Sequence, residues 1–187
     1  MMPDTSETPF VPLSIAVLTI SDTRTQADDR SGNTLVERIA QAGHALAARA
    51  IVADDIEAIR AQVSGWIADA GVDVVITTGG TGFTGRDVTP EAVEPLFEKR
   101  MEGFSTVFHM VSFGKIGTST LQSRATAGVA NSTYVFCLPG SPGACRDGWD
   151  EILVHQLDIR HKPCNFVEIL PRLDEHLKRG KLRAPVG

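Results

Sequence analysis

A chain of 187 residues with 42% hydrophobic content and a net charge of −5 is long enough for one domain with a real core and short for two. The negative balance opposes broad adhesion to nucleic acid or anionic lipid, and no run approaches the roughly 20 apolar residues of a membrane span, so neither is an expected partner. Cys137, Cys145 and Cys164 have no paired spacing, and the opening MMPDTSETPFVP lacks the basic and apolar regions of a signal peptide; reduced thiols, no disulfide and a cytoplasmic location are expected.

In chain order, the β-branched run at 14–21 predicts a buried strand, and the polar stretch 22–33 a loop. Leu35, Val36, Ile39 and Ala42 then share one face of a helix that Gly43 stops. Residues 44–53 read as a weaker strand. Asp54 or Asp55 caps a second helix carrying Ile56, Ile59, Val63, Trp66 and Ile67 and closed by Gly71. The run VDVVITT at 72–78 is a buried strand, and after a glycine-rich loop Thr89 is expected to cap a helix over 90–101 with Pro90 at its first position. A further helix is expected over 103–113, a fourth strand over 133–138, and a helix begun by Ser141 and Pro142.

This alternation argues for a mostly parallel sheet covered by helices, with ligands gathered beyond the carboxyl ends of the strands. Asp22, Asp54, the 79–87 loop and the PGSPG stretch at 139–143 all follow strands and are expected on one rim. Residues 1–12 and 171–187 are polar, proline-bearing or basic and are expected to be flexible, leaving 13–170 as the single domain.

The glycine-rich segment TTGGTGFTGRDVTPEA begins at Thr77. Gly80, Gly82 and Gly85 match the G-x-G-x-x-G spacing, yet the helix starts only near Pro90 and no acidic residue ends a strand about 20 positions later, so NAD is not an expected cofactor. No Lys-Ser or Lys-Thr pair follows either, which sets aside a Walker A loop. The residues do offer backbone that approaches a ligand closely, with the hydroxyls of Thr78 and Thr81 beside it. Arg86 suits a phosphate, and Asp87 suits a magnesium ion that neutralises one. The competing reading is a tight turn with a surface ion pair between Arg86 and Asp87.

Four blocks in one order, AVLTISD, TTGGTGFTGRDVTPEA, GTSTLQSRATAG and LPGSPGAC, resemble the MoaB/MogA family of molybdenum-cofactor biosynthesis proteins over about 13–165. GTSTLQSRA, QLDIR and KPCNF resemble its MoaB branch more than its MogA branch. The resemblance implies a three-layer α/β molybdopterin-binding fold, with 13–170 as the molybdopterin-binding domain. In active members, AMP from ATP is joined to molybdopterin with Mg²⁺ and pyrophosphate leaves. It also implies a homotrimer or hexamer. Other members share the fold without a settled catalytic role, which keeps open a protein that binds molybdopterin and hands it to other molybdenum-cofactor enzymes.

By the same resemblance, Asp54 and Asp87 are the expected catalytic and Mg²⁺-binding residues, with Asp55 as the alternative to Asp54. Asp22, Thr78, Gly79, Gly80, Thr81, Gly82 and Arg86 are expected to meet substrate. Ser123 and Arg124 match positions facing the pterin pocket, Arg124 offering a bidentate phosphate contact. Pro139, Gly140 and Ser141 form the second expected anion loop, with Ser141 also an N-cap. Lys115 and Thr118 rank lower. His161 and Cys164 stand three apart without further ligands, so zinc is not expected. His109 and Met110 are expected to pack on a helix, Cys137 and Cys145 to be buried, and the stretch 104–113 to serve either the core or an interface.

Overall fold

The computed structural model describes residues 8–177. Six strands, β1 (Ser14–Ile20), β2 (Ala45–Val52), β3 (Val74–Thr78), β4 (Lys99–Arg100), β5 (Thr126–Ala130) and β6 (Thr133–Leu138), form one sheet in the order β2-β1-β3-β6-β5-β4. The four strands β2, β1, β3 and β6 run parallel, and β5 and β4 add antiparallel pairings at one edge. Helices cover both faces: α1 (Arg30–Gln41), α4 (Glu102–Ile116) and α5 (Pro142–Gly148) on one, α2 (Ile56–Ala68) and α3 (Thr89–Val93) on the other. The expected three-layer α/β architecture is present.

The central strands have continuous apolar runs because successive side chains point to opposite faces and both faces are covered. Ile15, Val17, Val74, Ile76, Phe136 and Leu138 meet Leu35 and Ile39 of α1 and Phe104 and Phe108 of α4. Their neighbours Ala16, Leu18, Ile20, Val75, Val135 and Cys137 meet Ile59 and Val63 of α2 and Ala92 and Val93 of α3. Truncating such a residue, for example Ile76→Ala at 0% exposure, costs about 2–5 kcal/mol through lost contacts and an unfilled cavity.

Several element boundaries differ from the expectations. α1 starts at Arg30, inside the stretch read as a loop, because Asp29 caps it by accepting from the Gly32 amide. Gly43, with φ 86°, lies just beyond its end as expected. α2 ends at Ala68 rather than running to Gly71, whose amide donates to Asp69 in a turn. Thr89 is the first residue of α3 and not its cap; its hydroxyl donates to the Gly79 carbonyl instead. The helix expected through 101 stops at Val93, where Pro95 removes an amide and the chain tightens into a 3₁₀ turn, Glu94–Leu96. The chain then enters β4.

β5 was not foreseen. It joins β6 through Asn131 and Ser132, both at positive φ, in a two-residue hairpin. The helix begun by Ser141 continues beyond Gly148 through a π-helical turn, Trp149–Leu153, into α6 (Val154–Gln156), and α7 (Phe166–Ile169) closes the fold. All three cysteines are free, with Cys137 and Cys145 buried and Cys164 exposed. Met110, expected to pack, is 70% exposed. Among the described residues no helix is long and apolar enough to cross a membrane. Of the segments expected to be flexible, 1–7 and 178–187 lie outside the described residues.

Candidate functional site

The carboxyl ends of β1, β2, β3 and β6 lead into four loops that meet at one rim. After β1, Asp22 accepts a hydrogen bond at Oδ1 from the Asp54 amide, 3.0 Å away in the loop after β2. Its Oδ2 accepts from Arg86 Nε at 2.9 Å and from the same guanidinium's Nη2. Arg86 therefore pairs across the rim with Asp22, and the expected local pair with Asp87 does not form. That arginine, with the Asp54 amide, holds the Asp22 carboxyl below the usual carboxylate range.

Asp54 and Asp55 separate by role. Asp55 is the N-cap of α2, accepting from the Ala58 amide at 2.8 Å. Asp54 is left at the rim, where burial, followed by the negative charges of Asp22 and Asp87, pushes its carboxyl above the usual range. The Asp22 amide opposes this rise.

Between these groups runs the glycine loop. Gly79 has φ 107° and Gly80 φ 65°, conformations that side chains rarely adopt. A Cβ on Gly79 would also run into the Ile20 carbonyl, and one on Gly80 would lie 3.2 Å from Asp54 Oδ1. The loop is held from behind, since the Thr89 amide donates to Gly80 O and its hydroxyl to Gly79 O, at 2.9 and 2.8 Å. The amides of Gly80, Thr81 and Gly82 donate to no described residue. Asp87 returns beneath the loop: its Oδ2 accepts from the Thr84 amide and hydroxyl at 2.9 and 2.7 Å, and lies 2.7 Å from where a Gly82 Cβ would stand. Three amides without a described partner thus belong to a loop that packs against Asp54 at Gly80 and against Asp87 at Gly82. A cavity of about 430 Å³ lined by Gly82, Phe83, Thr84, Asp87 and Gln122 opens beside them.

The loop after β6 closes the rim. Thr78 Oγ1 donates to Pro139 O at 3.0 Å, the Gly79 amide to Leu138 O at 3.1 Å, and a Cβ on Gly140 would stand 3.1 Å from Gly79 Cα. Ser141 caps α5 by accepting from the Ala144 amide at 3.0 Å.

Ser123 and Arg124 approach the loop from the side of β5. Arg124 Nε donates to Gly82 O at 2.9 Å and Nη2 to Asp87 O at 3.0 Å, while Nη1 pairs with Glu91. Its guanidinium carbon lies 5.4 Å from the Phe83 ring centroid. In this arrangement Arg124 braces the glycine loop. The Ser123 hydroxyl is buried without a hydrogen-bond partner and belongs to a polar cavity of about 400 Å³ that Glu91, Arg100, His109 and Arg124 also line. Lys115 pairs with Asp147 and Glu151 on the α5 side.

The expected residues 22, 54, 78–82, 86, 87, 139 and 140 therefore share the rim, and 123 and 124 stand behind it. Sequence reasoning missed Thr89 and Glu91 as loop supports and Asp29 and Ser31 altogether. Extending the α1 apolar period backward by one turn would have found Asp29 as a cap.

Residues 16–159 match a family model described as a probable molybdopterin binding domain. The chain is 55% identical over 159 residues to molybdenum cofactor biosynthesis protein B of Escherichia coli K12, covering 85% of this chain and 94% of that protein. It is 42% identical over 142 residues to the protein of the same name from Bacillus subtilis, covering 75% and 84%. Among solved structures, a molybdenum cofactor biosynthesis protein B superposes with a TM-score of 0.76 at 38% identity, over 90% of this chain and 98% of the other. The tungsten cofactor synthesizing protein MoaB from Pyrococcus furiosus gives 0.69 at 36% identity, over 76% and 91%.

Proposed function

This chain belongs to the MoaB/MogA family of molybdenum-cofactor biosynthesis proteins, and on that footing we propose that it binds molybdopterin and joins it to AMP from ATP. The observation that carries the reading is a loop whose amides at Gly80, Thr81 and Gly82 have no described partner and which packs against the carboxylates of Asp54 and Asp87. Amides suit a phosphate, and carboxylates beside them suit the cation that accompanies one.

In the reaction, an oxygen of the pterin's terminal phosphate attacks the α-phosphorus of ATP, the bond to the β,γ-phosphates breaks, and pyrophosphate leaves. Most of the work is positioning two polyanions and offsetting their repulsion. The 79–82 loop binds phosphate oxygens through its amides, with the Thr89 contacts keeping it from collapsing. Arg86, 68% exposed on its side chain, supplies positive charge at the mouth and is held over the site by Asp22.

Mg²⁺ fits these residues. Asp54 is pushed up by burial and by two like charges, an environment that a cation relieves. Among the described residues no group of three or more His, Cys, Asp or Glu is placed to hold a metal. Magnesium held through one or two carboxylates together with substrate phosphates requires none. Asp54 and Asp87 would hold it, and when bound it supplies charge against the phosphates.

We also propose that a second copy of this chain covers the outer face of α4, where Val107, Met110, Phe113 and Ile116 are 44–70% exposed, consistent with the trimer or hexamer that the family resemblance implies. Incubating purified protein with molybdopterin, ATP and Mg²⁺ and weighing the products tests the activity. Adenylylated pterin with stoichiometric pyrophosphate is expected. Tight pterin binding without either product replaces this reading with handover to another enzyme.

A further inference from the structure

Asp29 is wholly buried although it is a carboxylate at a helix start. Its Oδ1 accepts from the Gly32 amide at 2.9 Å, and its Oδ2 accepts from Thr19 Oγ1 at 2.6 Å and Arg49 Nη2 at 2.9 Å. Thr19 belongs to β1 and Arg49 to β2, so a single carboxylate ties the first turn of α1 to two strands. A cap alone needs only the Gly32 contact, and such a cap is ordinarily solvated. Burying the charge among three donors fixes the helix start in position as well as direction.

Two residues on, Ser31 is 1% exposed and its Oγ donates to the carbonyl of Gly140 at 2.9 Å. Gly140 in turn lies so close to Gly79 that a Cβ would stand 3.1 Å from Gly79 Cα, and Thr78 Oγ1 holds the preceding carbonyl, Pro139 O, at 3.0 Å. The loop at 139–141 is therefore gripped from both sides, by Thr78 at the glycine loop and by Ser31 at α1. Among the described residues Asp29 makes no hydrogen bond to the rim, and Ser31 touches it at the Gly140 carbonyl.

We infer that Ser31, anchored through Asp29, is a positioning residue that sets the spacing between the glycine loop, 79–82, and the loop at 139–141 that the family resemblance implies as the second phosphate-binding segment. The inference rests on the proposed transfer reaction for its catalytic consequence, and on geometry alone for the latch. Breaking the latch removes no donor from either loop, because Ser31 bonds the loop at the Gly140 carbonyl. Their separation matters only when the two phosphates must meet in line, so the loss falls on kcat and not on binding.

The test compares the full-length protein with Ser31→Ala and with Thr34→Ala. The second variant deletes a hydroxyl from the same helix that bonds only the Arg30 carbonyl, on an exposed side. Amide hydrogen exchange without ligand reads the latch directly. Ser31→Ala speeds exchange at Ala144 and Cys145, whose amides bond to Ser141, about threefold to tenfold, the loss of one hydrogen bond. Val17 in the sheet keeps its rate, and Thr34→Ala changes neither. Unchanged exchange at Ala144 and Cys145 in Ser31→Ala overturns the latch.

Pyrophosphate release with molybdopterin, ATP and Mg²⁺ reads the consequence. Ser31→Ala lowers kcat about tenfold to a hundredfold with both KM values within about threefold of the parent. An unchanged kcat, or a loss carried by KM, overturns the positioning role. If the parent protein releases no pyrophosphate, the transfer reaction fails and the latch still stands or falls on the exchange rates.

Discussion

The Asp54 amide donates to Asp22 Oδ1 at 3.0 Å while Arg86 occupies the other oxygen of the same carboxylate. Asp22 thus joins three loops and keeps its charge, and part of the cost appears on Asp54, whose carboxyl is pushed up by burial and then by Asp22.

Asp22→Asn therefore lowers the Asp54 pKa toward the ordinary carboxylate value. The variant removes the like charge, and this outweighs the loss of the opposing pull of Arg86 as that side chain is released, because the charge of Asp22 is the larger of the two influences on Asp54. Titration of the Asp54 carboxyl carbon by NMR in the two proteins checks this. An unmoved midpoint would assign the rise to burial and Asp87 without Asp22.

Asp29→Asn is expected to cost about 2–4 kcal/mol at neutral pH, because it leaves Arg49 charged with a neutral partner in a part-buried position. Burial alone would raise the Asp29 pKa, yet the bonds from Thr19, Arg49 and Gly32 outweigh it and the net shift is downward. A depressed carboxylate contributes stability that is complete above its unfolded value and fades as pH falls through the folded one. Urea unfolding of the two proteins should show a full gap at pH 7 that narrows only below the ordinary carboxylate range. A constant gap down to strong acid would contradict the charge argument.

Much of this was legible in the sequence, for physical reasons that differ by element. β1, β3 and β6 are apolar on both faces because helices cover both, and that leaves an unbroken run. β5, TAGVA, carries little β-branched surface and exists through its hairpin with β6 and the room Gly128 leaves for the Phe97 ring, neither of which has a period. The rim could be read because every loop follows a strand end. The roles of Arg86 and Arg124 could not, since each pairs across the chain: Arg86 with Asp22, and Arg124 with Glu91 and two loop carbonyls. Spacing along the sequence favoured the adjacent Asp87, and space decided otherwise.

The outer face of α4 gives a prediction about assembly. Phe113→Glu places a charge on a side chain that is 58% exposed in the single chain, so folding should hold and the subunit contact should weaken. Light scattering is expected to show threefold-related assemblies for the parent and smaller species for the variant. A parent that stays monomeric over a wide concentration range would remove the interface.

The most direct measurement of the adenylyl-transfer account is pyrophosphate release by the parent and Asp87→Asn, with pterin binding followed by fluorescence on the same samples. Asn at 87 can still accept from the Thr84 amide, so the loop keeps its shape while losing a charge beside the open amides. The account predicts turnover in the parent, a fall of about a hundredfold or more in the variant, and pterin affinity within about threefold, because charge at this position acts where the phosphates are being exchanged. Equal turnover in the two proteins, or tight pterin binding with no turnover in either, would contradict it.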